Sequence, residues 1–237
     1  MIRNIFANHG ITITEEQEQK LNQYYDLLID WNNKINLTSI VEYEEVIWKH
    51  FLDSAFFVSC DKVDLKEKKK VLDLGTGAGF PGMVLAILCP DYEFVLADSL
   101  NKRIEFLKVV INRLQIHNVS VIHGRAEELG RNENFRNQFD YVVSRAVAEL
   151  PVLLEYCIPF VKKGGYFVSY KSRRLDEEIE NADNALNMLY TKYEKKYKYE
   201  LEYDHSERYL VFFRCENITD SKYPPFFTKG IQYSSST

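Results

Sequence analysis

The stretch from Val71 to Gly82, Val-Leu-Asp-Leu-Gly-Thr-Gly-Ala-Gly-Phe-Pro-Gly, constrains this chain more than any other. A short apolar run ending in three alternate glycines, with a proline and an apolar helical pattern behind it, predicts a strand, a tight turn and a helix start. Gly75, Gly77 and Gly79 permit positive φ and leave no Cβ between the backbone and a ligand. The helix beginning near Pro81 would present unpaired N–H groups to the same place. Three alternate glycines would be a needless entropic cost in an ordinary turn, so the stretch reads as a nucleotide-cofactor loop.

Two carboxylates bear on which cofactor. Asp73 lies two residues before Gly75, and Asp98 closes the next predicted strand, Glu93 to Asp98. Asp98 follows Gly75 by 23 positions, close to the spacing of about 20 at which a carboxylate meets ribose hydroxyls in a doubly wound fold. NAD and S-adenosylmethionine would both use that carboxylate. An acidic residue inside the first strand followed by Gly-x-Gly-x-Gly resembles the Rossmann-like methyltransferases, which implies S-adenosylmethionine, with NAD or FAD as the alternative.

The 237 residues are 46% hydrophobic, enough for one large domain with a sizeable core. No run approaches the ~18 to 20 apolar residues of a membrane span, and the start lacks a signal-peptide apolar region, so a cytosolic protein is expected. Cys60, Cys89, Cys157 and Cys215 show neither metal-ligand nor disulfide spacing and read as buried free thiols. A net charge of −5 argues against indiscriminate coating of nucleic acid. It leaves room for a local basic rim, with candidates at Lys102 and Arg103, at Lys171, Arg173 and Arg174, and in the tract Lys192 to Lys198. Each is more often a solvated surface.

Along the chain, Thr14 with Gln17 forms a capping-box start, and Leu21, Tyr25, Leu28 and Trp31 repeat at helical spacing. Turn residues follow from Asn32 to Ser39. A second helix is predicted over Glu42 to Val58. Residues 1–62 thus form a helical cap, and the charged linker Asp61 to Lys70 marks the start of a core over 63–216, with a tail over 217–237. In the core, strand and helix signals alternate, which implies a parallel sheet covered on both faces. Helices are predicted from Lys102 to Leu114, over a stretch holding Leu153, Leu154, Tyr156, Cys157 and Phe160 that ends in the glycine stop Lys162-Lys163-Gly164-Gly165, and from Leu175 to about Tyr190. The strands are Val71 onward, Glu93 to Asp98, Val119 to Ile122, Phe139 to Val143 and Tyr166 to Lys171. A terminal hairpin, Tyr197 to Tyr203 with Arg208 to Cys215, completes seven. This is the α/β layout of a class I S-adenosylmethionine-dependent methyltransferase, a Rossmann-like sheet with an N-terminal helical extension. Gly75 to Phe80, Asp98, Ala126 with Glu127, and Arg145 all fall at strand carboxyl ends, where ligands sit in such sheets.

Several stretches together resemble one family: Trp31 to Thr38, His50-Phe51-Leu52-Asp53-Ser54, the Asp73 to Gly82 loop, Asp98 to Arg103, and Ser144-Arg145-Ala146. They look like the bacterial small-subunit ribosomal RNA guanine-N7 methyltransferases, also called glucose-inhibited division protein B. The similarity covers about residues 14 to 215. It implies that Gly75 and Phe80 line the S-adenosylmethionine pocket, that Asp98 holds the ribose hydroxyls and that Ala126 and Glu127 lie beside the adenine; Gly77 and Gly79 belong to the same cofactor loop, and Asp73 either contacts the cofactor or braces that loop. Arg145 would be the catalytic residue reaching the cofactor or the target base, and Lys102, Arg103, Lys171 and Arg173 would face RNA. The implied substrate is guanine 527 of 16S ribosomal RNA, taken as RNA or in the small subunit by a monomer with no metal. The C-terminus departs from the family: Lys222-Tyr223-Pro224-Pro225 stands where a Lys-Tyr-Pro-Arg segment is common.

The residues suit that chemistry independently. Guanine N7 carries an in-plane lone pair and needs no general base, so alignment and exclusion of water would supply most of the rate. The Asn/Asp-Pro-Pro-aromatic tetrad used on exocyclic amines is replaced after the fourth strand by Ser144-Arg145-Ala146-Val147. Tyr223-Pro224-Pro225-Phe226 matches that tetrad but lies past the last strand. No cysteine occupies a loop suited to attack on a pyrimidine. Plainer readings stand beside these: Arg145 capping a carboxylate, His50 and Asp53 in packing or capping roles, Trp31 and Trp48 in the core, Asp73 only bracing the loop. A methyltransferase for a small molecule or protein, and a sensor that binds cofactor without turnover, are the competing functions.

Overall fold

The computed structural model describes residues 1–145, 148–172 and 175–225. Its sheet contains β1 (Lys70–Leu74), β2 (Glu93–Asp98), β3 (Val119–His123), β4 (Phe139–Arg145), β5 (Val161–Lys171), β6 (Thr191–Leu201) and β7 (Ser206–Cys215). The order is β3-β2-β1-β4-β5-β7-β6. The first five strands pair in parallel, and β7 runs antiparallel to both neighbours. The expected seven strands and terminal hairpin are present.

Alternation along the strands divides the core. Val71, Tyr141, Val143, Val168 and Phe212 face one apolar cluster, while Leu72, Leu74, Val142, Phe167 and Phe213 face the other. With both faces covered, β1 can be a nearly continuous buried apolar run, interrupted by the buried Asp73.

The first cluster takes in α1 (Ile2–Asn8) and α2 (Glu15–Ile35). The capping box of α2 is complete: Thr14 Oγ1 accepts from the Gln17 amide at 3.1 Å, and Gln17 Oε1 accepts from the Thr14 amide at 2.9 Å. The helix buries Leu21, Tyr24 and Leu28 and packs on α5 (Gly82–Leu88) and α6 (Asn101–Leu114). It stops at Asn36, in the left-handed region at φ 48°. Asn32 Oδ1 then accepts from the Leu37 and Thr38 amides at 2.6 and 2.8 Å, turning the chain back.

The segment predicted as one helix from Glu42 to Val58 is helical but changes pitch. It runs as α3 (Tyr43–Val46), a π-helical turn over Ile47–Leu52, α4 (Asp53–Ala55) and a 3-10 turn over Phe56–Ser59. π-turns concentrate at functional sites, and this one carries His50.

On the other face lie α7 (Ala126–Leu129), α8 (Leu150–Cys157), α9 (Leu175–Glu180) and α10 (Asp183–Met188). Two expectations are corrected here. Gly164-Gly165 does not stop a helix, because β5 already begins at Val161. Pairing of β4 with β5 jumps from Phe139↔Val161 to Tyr141↔Tyr166, and the extra residues form a bulge in which a Cβ on Gly165 would come within 2.7 Å of the Asp140 carbonyl. The helix expected from Leu175 to Tyr190 is two short helices broken near Ala182, whose buried side chain anchors the break. The tail segment Thr219 to Pro224 lies against the α7–β4 connection, where Arg136 donates to the Tyr223 carbonyl at 2.7 Å and to the Thr219 carbonyl at 2.8 Å.

Candidate functional site

At the carboxyl ends of β1, β2, β4 and β5 a cleft of about 760 Å³ opens. Its floor is the glycine loop, tied to β2 by the Gly75 and Thr76 amides donating to the Ala97 carbonyl at 2.9 and 3.1 Å. Gly77 has φ +61°, and nothing lies within 4 Å of where its Cβ would be. The loop therefore offers bare backbone to the cleft. Gly79 lies beneath, against the Tyr24 hydroxyl, which donates to the Ala78 carbonyl.

Asp73 is fully buried below this loop. Its Oδ2 accepts from Thr76 Oγ1 at 2.6 Å and from the Gly82 amide at 2.7 Å, so it ties the two ends of the turn together. Its Oδ1 is buried with no partner among the described residues. Desolvation pushes the carboxyl up to about 6, against the pull of its two donors.

Asp98 lines the cleft with 3% of its surface exposed. Its Oδ2 accepts from the Gly77 amide at 2.9 Å and its Oδ1 from the Leu100 amide at 2.9 Å. Arg103 Nη1 lies 3.2 Å from Oδ2. The carboxylate that sequence assigns to a ribose thus holds an arginine here.

The opposite wall is built around Arg145. Its Nη1 donates to Asp53 Oδ2 at 2.7 Å and to the Lys49 carbonyl at 3.2 Å, and its Nη2 lies 3.3 Å from His50 Nδ1. Asp53 is buried, and its Oδ1 accepts from the Tyr199 hydroxyl at 2.8 Å. The π-turn sets this geometry, because it places His50 and Asp53 on one side of the segment facing Arg145. The His50 ring stacks on Phe80 with centroids 4.4 Å apart and planes 16° apart, and the Arg145 guanidinium sits 5.4 Å from the same ring. Burial, reinforced by the Arg145 charge, lowers the His50 pKa to about 3. The imidazole is neutral at physiological pH.

Of the residues singled out from sequence, Gly75, Gly77, Phe80, Asp98, Arg103, Arg145 and Lys171 line one cleft. Asp73 and Gly79 support its floor. Ala126 and Glu127 begin α7, after β3, and are not among the lining residues. Lys102 is exposed at the start of α6. Lys171 is mostly buried and paired with Glu178. Arg173 and Ala146 lie outside the described residues. The tract Lys192 to Lys198 forms edge strand β6, where Lys192, Lys195, Lys196 and Lys198 pair with Glu216, Asp61, Asp176 and Glu207. Such lysines blunt a sheet edge. All four cysteines are buried free thiols, and burial pushes Cys60 and Cys89 up to about 12. Trp31 and Trp48 are partly buried against the first cluster.

Sequence reasoning left Thr38 unassigned and gave His50 and Asp53 no certain place in the site. The available signal was that His50 and Asp53, three apart, share a helix face. Tyr170, Tyr199 and Arg208 carried no comparable local mark.

With a glycine loop and Asp98 on one side and the Arg145 cluster on the other, the comparisons with known proteins become specific. The family profile described as rRNA small subunit methyltransferase G matches residues 17–205. The chain belongs to the rRNA small subunit methyltransferase G family. A family member from Lachnoclostridium phytofermentans is 50% identical over 215 residues, covering 91% of this chain and 88% of its own. One from Alkaliphilus metalliredigens is 47% identical over 216 residues, covering 91% and 89%. Among solved structures, a SAM-dependent methyltransferase from Aquifex aeolicus matches with a TM-score of 0.53 at 18% identity, over 73% of this chain and 93% of that one. TYW2 of M. jannaschii in complex with AdoMet matches with a TM-score of 0.51 at 15% identity, over 63% and 70%. The family member described here therefore has the class I methyltransferase fold. Among its described residues no helix is long and apolar enough to cross a membrane.

Proposed function

We propose that this chain transfers a methyl group from S-adenosylmethionine to N7 of guanine 527 in 16S ribosomal RNA, in the cytoplasm and as a monomer. The observation that carries this reading is one unbroken cleft that joins the glycine loop and Asp98 to the Arg145 cluster. It has room for a cofactor and a flipped-out base side by side. Membership of an rRNA small-subunit methyltransferase family supplies the substrate class.

The residues present fit the cofactor. Bare backbone at Gly77, with open space where a Cβ would stand, admits the amino-acid half of the molecule against the loop. The unpartnered, desolvated Asp73 Oδ1 makes the floor attractive to an ammonium group. Asp98 would hold the ribose hydroxyls. Ala126 and Glu127 would border the adenine, since Asp98 pairs in register with His123, three residues before Ala126. When bound, S-adenosylmethionine supplies an electrophilic methyl, which the N7 lone pair can accept without prior loss of a proton.

What this chain contributes is alignment and a compatible field. Arg145, fixed at three points, has donors left over to reach the cofactor or the base. Its charge is offset by the buried Asp53 carboxylate at 2.7 Å, so the site does not oppose the positive charge that develops on the methylated ring. His50, neutral and engaged at both nitrogens, takes no proton from the base. Of the proposed RNA contacts, Arg103 lines the cleft and Lys102 is exposed beside it in the first turn of α6. Lys171, which lines the cleft with its charge already shared by Glu178, and Arg173, outside the described residues, are the other two proposed contacts.

Incubation with radiolabelled S-adenosylmethionine and either small subunits, free 16S RNA or total protein tests the proposal. Label in RNA, released as 7-methylguanosine, is expected. Label confined to protein would refute it, and so would cofactor binding without transfer to any of the three.

A further inference from the structure

The hydrogen bonds around Arg145 end on Thr38, which the reaction proposed above gives no role. A guanidinium only donates, so Arg145 Nη2, 3.3 Å from His50 Nδ1, makes that nitrogen an acceptor and leaves the ring proton on Nε2. Nε2 is 2.9 Å from Thr38 Oγ1 and donates to it. The Ile40 amide donates to the same oxygen at 3.1 Å. A threonine hydroxyl has two lone pairs and one hydrogen. With both lone pairs engaged, it can only donate to a further partner.

That donor faces the cleft, which Thr38 lines. Its backbone is clamped by Asn32, whose Oδ1 accepts from the Leu37 and Thr38 amides. A chain of contacts therefore runs from Tyr199 through Asp53, Arg145 and His50 to Thr38, and it fixes both the place and the polarity of the last hydroxyl. On the edge where guanine presents N7, its neighbouring O6 is an acceptor, whereas adenine carries an amino donor there. A hydroxyl that can only donate accepts the first and rejects the second.

We propose that the Thr38 hydroxyl donates to O6 of the target guanine, which makes Thr38 a specificity-determining residue for the reaction proposed above, on which this inference rests. The hydroxyl leaves N7 itself unbonded and open to the methyl.

The test is a double-mutant cycle between enzyme and base. Wild type and Thr38→Val are assayed on reconstituted small subunits carrying either guanine or 2-aminopurine, which keeps N7 but lacks O6, at the target position. Thr38→Val on guanine, and wild type on 2-aminopurine, should each lose about tenfold or more in kcat/KM. The pair together should lose little beyond the larger single loss, a coupling of about tenfold. Losses that simply multiply would overturn the proposal, because the hydroxyl and O6 would then act separately. Thr38→Ala, carried in parallel, closes the same cycle should the valine not pack. Thr38→Ser, which restores the hydroxyl, should bring the 2-aminopurine discrimination back. Failure of the wild type to methylate guanine in unmodified subunits would instead sink the function itself, and the two failures are read from different wells.

Discussion

Asp98 and Arg103 are the pair through which the proposed function couples cofactor and RNA. The Arg103 guanidinium lies 3.2 Å from Oδ2 of Asp98, the carboxylate proposed to take the ribose diol, so on that reading Arg103 and the cofactor compete for it. Arg103→Ala should therefore tighten S-adenosylhomocysteine binding, by up to about fivefold given the partial exposure of the pair, in a calorimetric titration without RNA. Weaker binding would mean that the arginine holds the cofactor. His50 gives a second prediction at this scale. Its folded pKa of about 3 lies below the ordinary 6.5, so the unfolded chain binds more protons between those values. Its contribution to stability is complete above pH 6.5 and is lost as pH falls toward 3. Asp73, raised from 3.8 to about 6, acts in the opposite sense, with stability gained as pH falls through that window. Comparing wild type with His50→Gln separates the two. The stability advantage of wild type should shrink by about 1.4 kcal/mol per pH unit over pH 6 to 4 in urea unfolding, and a pH-independent difference would contradict the assignment. The glycines, Asp98 and Arg145 were legible in the sequence because each sits at a strand end beside a local motif. Asp53 was not, since what defines it is an ion pair to a residue 92 positions away.

Among the elements, the inner strands were easy to read because burial on both faces leaves unbroken apolar runs. The glycine pair at 164 and 165 misled, since a helix stop and a strand bulge both ask for a residue without a Cβ. The polar stretch after Leu175 kept helical composition across a break that tertiary packing imposes at Ala182. The π-turn left no mark at all, because one added residue per turn changes which side chains face Arg145 without changing which are apolar. The role of α2 also emerged only in three dimensions. It reaches through Tyr24 to the Ala78 carbonyl of the glycine loop, so the N-terminal helices help to hold the cleft floor. Tyr24→Phe removes that bond while keeping the ring contacts with Phe51 and Phe80. It should cost about 1 kcal/mol of stability and weaken S-adenosylhomocysteine binding. Lost stability with unchanged cofactor affinity would uncouple α2 from the loop.

Across the whole molecule, the net charge is −5. The β6 lysines are paired with acids, and the cations near the cleft are mostly engaged with carboxylates. On the proposed function, the exposed Lys102 is the simplest place to look for a phosphate contact. Lys102→Glu should raise KM for small subunits and lower the slope of log KM against log salt by about 0.7 to 0.9, one phosphate contact. An unchanged slope would remove Lys102 from the interface. The central claim is the reaction itself, and mass spectrometry of 16S RNA nucleosides from cells lacking this protein tests it most directly. The account predicts loss of 7-methylguanosine at position 527, restored by the wild-type chain and not by Asp98→Ala; undiminished 7-methylguanosine at that position would contradict it.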